Sequence, residues 1–120
     1  PEILMIMIGD NIKLTPALET RLVQLFSRGV ARTLAGMNAA IIDSGRQVGV
    51  SNMMGQGVAD RGFKTPLLGV APLSQVTTPG RPRSKADPLD PNHSYFILTP
   101  GNAWGDENEI LFNVVNTLAK

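Results

Sequence analysis

The sequence predicts an α/β domain of the Rossmann-like kind, a doubly wound parallel sheet in three α-β-α layers. Three observations carry this. Four short apolar runs, continuous rather than alternating, read as strands covered on both faces. The segments between and after them repeat their apolar residues at helical spacing. The resulting order, β-α-β-α-β-loop-β-α, calls for parallel pairing through right-handed crossovers.

Ile3-Leu4-Met5-Ile6-Met7-Ile8 is the first strand, closed by the turn residues Gly9-Asp10-Asn11. Thr15-Pro16 then reads as an N-cap followed by proline at the first helical position. Leu18, Leu22, Leu25, Phe26 and Val30 form the expected apolar stripe, and the helix should run to about Ala35 with Gly36 as its stop. Arg21, Arg28 and Arg32 fall mostly off the stripe and read as a solvated face.

Ala39-Ala40-Ile41-Ile42-Asp43 is the second strand, and Val50, Met53, Met54, Gly57 and Val58 are the buried stripe of the second helix, closed by Asp60-Arg61-Gly62. The methionines read as core filling. Pro66-Leu67-Leu68-Gly69-Val70-Ala71 is the third strand, with Pro66 fitting only at its start. From Pro72 to His93 no period emerges, so the stretch reads as a long loop, with Arg81, Arg83 and Lys85 able to close over an anion. Ser94-Tyr95-Phe96-Ile97-Leu98 is the fourth strand. The last helix opens at Asp106-Glu107-Asn108-Glu109, acids that suit the positive end of its dipole, and buries Ile110, Leu111, Val114, Val115 and Leu118.

Composition narrows the function. A chain of 120 residues suits one packed domain, and 42% hydrophobic with 18% charged residues is a globular balance. A net charge of +1 supplies no broad basic surface, so nucleic acid is not expected as a partner. No cysteine is present, which excludes a disulfide scaffold, a thiolate zinc site and a cysteine nucleophile, and fits a reducing, cytoplasmic setting. The single His93 excludes a multi-histidine metal centre. The longest apolar run is too short to span a bilayer, so this domain is expected to make no membrane contact. Because the first residue is Pro1 rather than Met, the chain reads as a piece of a longer protein, one able to carry a membrane segment elsewhere.

In such sheets ligands bind beyond the carboxyl ends of the strands. Gly9-Asp10-Asn11, Ser44-Gly45-Arg46 and Thr99-Pro100-Gly101-Asn102 should therefore share one rim. The turn from Gly45 to Asn52 carries Arg46 and opens a helix whose first N–H groups lack intrahelical partners, so it should take an anion. The turn from Gly101 to Glu109 carries three acids and should accept hydrogen bonds from sugar hydroxyls or amines. Trp104 either caps the core or stacks on a base, and His93 either bonds the turn backbone or contacts a ligand. A molecule with phosphate at one end and ribose at the other fits this polarity.

Ser44-Gly45-Arg46-Gln47-Val48-Gly49-Val50, Leu67-Leu68-Gly69-Val70-Ala71-Pro72, Leu89-Asp90-Pro91-Asn92-His93 before an apolar strand, and Trp104-Gly105-Asp106-Glu107 together resemble the SLOG superfamily. More narrowly, they are similar to bacterial relatives of the ligand-sensor domain of melastatin-type TRP channels. The resemblance implies a domain that senses a nucleotide or a NAD- or ADP-ribose-type derivative, requiring no other cofactor. By position it implicates Gly45, Gly49 and Val50 on the glycine turn, Asn92 and His93 on the Asp-Pro-Asn-His motif, and Gly105 and Glu107 at the last helix start. It also implies further strands after the last helix, so one sheet edge is expected to be unfinished or completed by another copy in a homo-oligomer. Where relatives commonly carry Gly-Gly-Thr, this chain has Ser44-Gly45-Arg46. The superfamily includes phosphoribohydrolases, whose catalytic carboxylate would fall on Glu109, with Glu107 as the alternative acid, if this chain were an enzyme. An assembly domain with a relic cleft is the third reading.

Overall fold

The computed structural model describes residues 1–9, 14–77 and 86–119. Asp10, Asn11 and the Arg81, Arg83 and Lys85 of the expected lid lie outside the described residues. Four parallel strands form the main sheet: β1 (Ile3–Ile6), β2 (Ala39–Asp43), β3 (Leu67–Pro72) and, counting two minor strands between, β6 (Tyr95–Thr99). They lie side by side in chain order, β1-β2-β3-β6, so β1 and β6 are the edges.

Thr15 caps α1 (Pro16–Gln24) as expected, its Oγ1 accepting from the Leu18 N–H at 3.3 Å. The helix continues through a π-helical stretch (Leu25–Ala31) into α2 (Arg32–Ala35), ending at Gly36. The wide turns shift the apolar stripe. Phe26 and Ala31, five residues apart, are both buried, whereas Leu25 is 54% exposed and Leu18 also faces outward, against the expected spacing. Arg21, Arg28 and Arg32 are exposed, as anticipated. α3 (Gly49–Asp60) crosses the π-helical stretch at backbone contact, since a Cβ on Gly57 would lie 3.0 Å from the Phe26 carbonyl. There the Ser27 hydroxyl donates to Asp60 and the Ser27 carbonyl accepts from Arg61 Nε, both at 3.0 Å.

Phe26, Ala31, Leu34, Met53, Met54 and Val58 from these helices cover Ile41 and Leu67 from one side of the sheet. The neighbouring strand residues Ile6, Ile42 and Val70 point to the other side, where they meet Leu111 of α4 (Asn108–Leu118). Helices therefore flank the sheet on both faces. Ile41, Ile42, Met54 and Leu67 are essentially sealed from water, each worth about 1.5–3 kcal/mol of burial. α4 departs from expectation: Ile110, Leu111, Val114, Val115 and Leu118 are only half-buried, and Phe112 is 58% exposed. Its Asn108 and Leu111 line a cleft together with the strand ends, and none of its residues is fully buried.

The stretch read as a structureless loop is partly ordered. A 3-10 turn (Leu73–Gln75) leads into β4 (Val76–Thr77), which pairs in parallel with β5 (Asp87–Pro88). Among the described residues no helix is long and apolar enough to cross a membrane.

Candidate functional site

The carboxyl ends of β1, β2 and β3 open into a cleft of about 320 Å³ roofed by the loop before α4 and by its first turn. Its apolar wall is Ile6, Ile42, Val70 and Leu111, and its polar groups come from Ser44, Arg46, Ser51, Glu107 and Asn108. The turns after β1, β2 and β6 thus converge on one rim, with Gly9, Ser44 and Trp104 all on its lining.

The turn after β2 is built from below. Gly45, at φ +69°, lies against Gly69 of β3, and a Cβ on it would come within 2.9 Å of the Gly69 Cα and of the Phe96 ring. His93 stacks on that ring with centroids 5.7 Å apart. Its Nε2 is 2.5 Å from Asp43 Oδ1 and its Nδ1 2.7 Å from Asp90 Oδ2, all three side chains being buried. Asp43 Oδ1 also accepts from the Gly45 N–H at 2.8 Å, and the Gly45 carbonyl accepts from the Asp90 N–H at 2.7 Å. Burial opposes a charge on His93, but its hydrogen bonds to Asp43 and Asp90, reinforced by their negative charges, outweigh that and raise its pKa to about 9. The ring is therefore an imidazolium clamped between two carboxylates. Both its nitrogens are taken by side-chain carboxylates, rather than by the turn backbone or a ligand as expected. Asn92, in the same turn, sits beside Gly55 of α3 and away from the cleft.

Above this base, Gly49 opens α3 at φ +56°, and Val48 before it supplies no side-chain cap. Val50 packs on Gly9, where a side chain would collide with it. The Ser44 and Ser51 hydroxyls are 2.7 Å apart across the turn. Arg46 does not project freely as expected of an anion ligand. Its Nε donates to Ser44 at 3.2 Å, its Nη1 meets Asp87 of β5 at 3.1 Å, and its guanidinium lies 4.4 Å over the Trp104 ring. Gln47 and Asp90 donate to the Pro88 and Gly45 carbonyls, and Arg46 bridges to Leu89, so the minor strand is stitched to the turn.

The turn after β6 is organised locally. Asp106 Oδ2 accepts from the Asn102 and Ala103 N–H groups at 2.8 and 3.1 Å, and Glu107 Oε2 from Gly105 at 2.9 Å. Of the three acids expected to serve the helix dipole, Asp106 and Glu107 thus cap the loop, and Glu109 stands in the first turn of α4 as expected. The Gly101 and Asn102 carbonyls accept from Ser74 and Gln75, tying the loop to the end of β3. Thr99 is buried with its hydroxyl unpartnered. Glu107 lines the cleft, whereas Glu109 is exposed outside it. Asp43, Ser51 and Asp87 escaped the sequence reading, and Asp90 entered it only within the Asp-Pro-Asn-His motif. For Asp43 the available signal was an acid closing an apolar strand.

Among the described residues no cluster of histidine and carboxylate groups could hold a metal ion. The family described as "SLOG in TRPM, prokaryote" matches residues 2–120. No curated protein matches the chain. Among solved structures, the X-ray structure of TM1055, a structural genomics target, is similar at 24% identity with a TM-score of 0.44; the similarity covers 81% of this chain and 46% of that one. This chain thus spans less than half the length of that structure.

Proposed function

Because this chain belongs to the prokaryotic family of SLOG domains of the TRPM type, we propose that it is a cytoplasmic ligand-sensing domain for a nucleotide or a NAD- or ADP-ribose-type derivative. The observation that carries the reading is the meeting, in one cleft, of an uncapped helix start, a cation and an indole. The first N–H groups of α3 and the Ser44 and Ser51 hydroxyls suit a phosphate oxygen. The wall of Ile6, Ile42, Val70 and Leu111 suits a flat ring, and Glu107 and Asn108 suit ribose hydroxyls.

Trp104 is the single tryptophan of the chain and lines this cleft, so its fluorescence reports occupancy. Titration with NAD or ADP-ribose should change that emission and raise the melting temperature, by the equivalent of about 2.7 kcal/mol at a hundredfold excess over Kd. Trp104→Ala, followed by the thermal shift alone, should weaken binding roughly tenfold or more if the indole stacks on a base. The absence of any stabilisation by either compound or by nucleoside monophosphates would overturn the proposal in favour of an assembly domain. With Glu109 outside the cleft, hydrolysis is not part of the proposal. Release of free base from a nucleoside monophosphate, lost in Glu109→Gln, would add it.

A further inference from the structure

The cations around the cleft are already engaged before any ligand arrives. Arg46, the one cation on the lining among the described residues, is ion-paired to Asp87 at 3.1 Å. Asp43 is met from behind by His93, which also carries Asp90. Glu107 faces the cleft from the start of α4 with one oxygen on the Gly105 N–H and no cation partner among the described residues. The first turn of α3 contributes no charged side chain, only its N–H groups and the partial positive charge of its dipole. The capacity to neutralise an anion is therefore small. A helix start and two hydroxyls can hold a single negative charge, whereas a second would be added to a cleft where Glu107 is uncompensated and Arg46 already engaged.

On the reading that this cleft takes a nucleotide, we infer that it selects phosphate groups carrying one negative charge, as in phosphodiesters and the linked phosphates of dinucleotides, and rejects a terminal phosphate dianion. Glu107 is the residue that sets this selectivity, by repulsion, and Asp87 sets it indirectly by holding Arg46. Rejection through a like charge is a route to specificity that needs no additional contact with the favoured ligand.

Adenosine 5′-monophosphate and its 5′-methyl ester share every group but the ester methyl, and they differ by one charge near neutral pH because the second phosphate ionisation lies near 6. At about pH 7.5 the methyl ester should bind roughly tenfold more tightly, a gap of the size expected for one like-charge contact at a partly solvated site. The gap should close at about pH 5.5, where the monophosphate also carries a single charge. It should close as well in Glu107→Gln, which keeps an oxygen for the Gly105 N–H, and narrow in Asp87→Asn, which frees Arg46. A monophosphate that binds as tightly as its methyl ester, or a gap unchanged in both variants, would overturn the charge selection and leave the nucleotide site standing. Failure of both compounds to bind, together with NAD and ADP-ribose, would overturn the nucleotide reading and this inference with it.

Discussion

The turn after β2 and the turn after β6 follow one plan, strand to glycine-bearing turn to helix, yet they are held in place in opposite ways. The first is fixed by residues distant in sequence: His93 bonds Asp43 across fifty positions, and Gly45 touches Gly69 and Phe96. It leads into a helix with six buried residues. The second is organised mainly by acids within four residues of the groups they bond, with two further ties from Ser74 and Gln75, and it leads into a helix with none fully buried. A rigid, globally anchored half thus faces a locally organised one across the cleft. In a sensor this is a workable division, because elements with few buried contacts are the ones that shift at low free-energy cost.

The sharpest way to break the comparison is to remove the anchor. His93→Ala would leave Asp43 and Asp90 buried without their cation, a loss expected to cost about 3–5 kcal/mol, enough to unfold a domain of ordinary stability. Urea unfolding followed by circular dichroism measures it. A loss below about 1 kcal/mol would show that the clamp contributes little and that the first turn is no better anchored than the second.

The glycines offer a paired test. Gly45→Ala puts a Cβ within 2.9 Å of the Gly69 backbone at φ +69°, and should cost about 2–4 kcal/mol through overpacking and strain together. Gly105→Ala, at φ +109° but with nothing within 4 Å of the new Cβ, bears strain alone and should cost about 1–3 kcal/mol. Equal midpoint shifts in denaturant would contradict the difference between the two turns.

The strands and helices were legible because their apolar residues repeat over four or more positions. Thr15-Pro16 and Gly36 marked the first helix correctly for the same local reason. β4 and β5 were illegible because two-residue strands have no period. The shift of the α1 stripe at Leu25 depends on π-helical turns that pack against Gly57, a tertiary circumstance. At the site, the rim shared by Gly9, Ser44 and Arg46 followed from strand direction, whereas Thr99, Gly101 and Asn102, also expected on it, are not on the lining, which Trp104 and Glu107 reach instead. The engagement of Arg46 did not, since Asp87 is forty-one positions away in a stretch that showed no pattern.

The clamp has a pH signature of its own. The folded-state pKa of His93, about 9, lies above its ordinary value of 6.5, so the stabilisation is complete below pH 6.5 and is lost as pH rises through about 9. The melting temperature should fall across that window in the wild type. An imidazole resonance titrating near 9 in NMR would assign the loss to His93, and a midpoint near 6.5 would remove the imidazolium from the account.

The smallest effect belongs to the second turn. Asp106→Ala removes the oxygen that accepts from the Asn102 and Ala103 N–H groups, but both are exposed and water can replace it, so the stability cost should stay below about 1 kcal/mol. Its consequence should appear instead in binding. The loop carrying Trp104 would lose its internal cap while keeping its ties through Ser74 and Gln75, so it should sample more arrangements and pair less often with Arg46. Time-resolved anisotropy of Trp104 measures this directly, and faster depolarisation with an almost unchanged melting temperature is the expected result. If the indole proved as immobile in Asp106→Ala as in the wild type, the local acids would not be what organises this side of the cleft, and the stack on Arg46 would have to be the anchor of both turns.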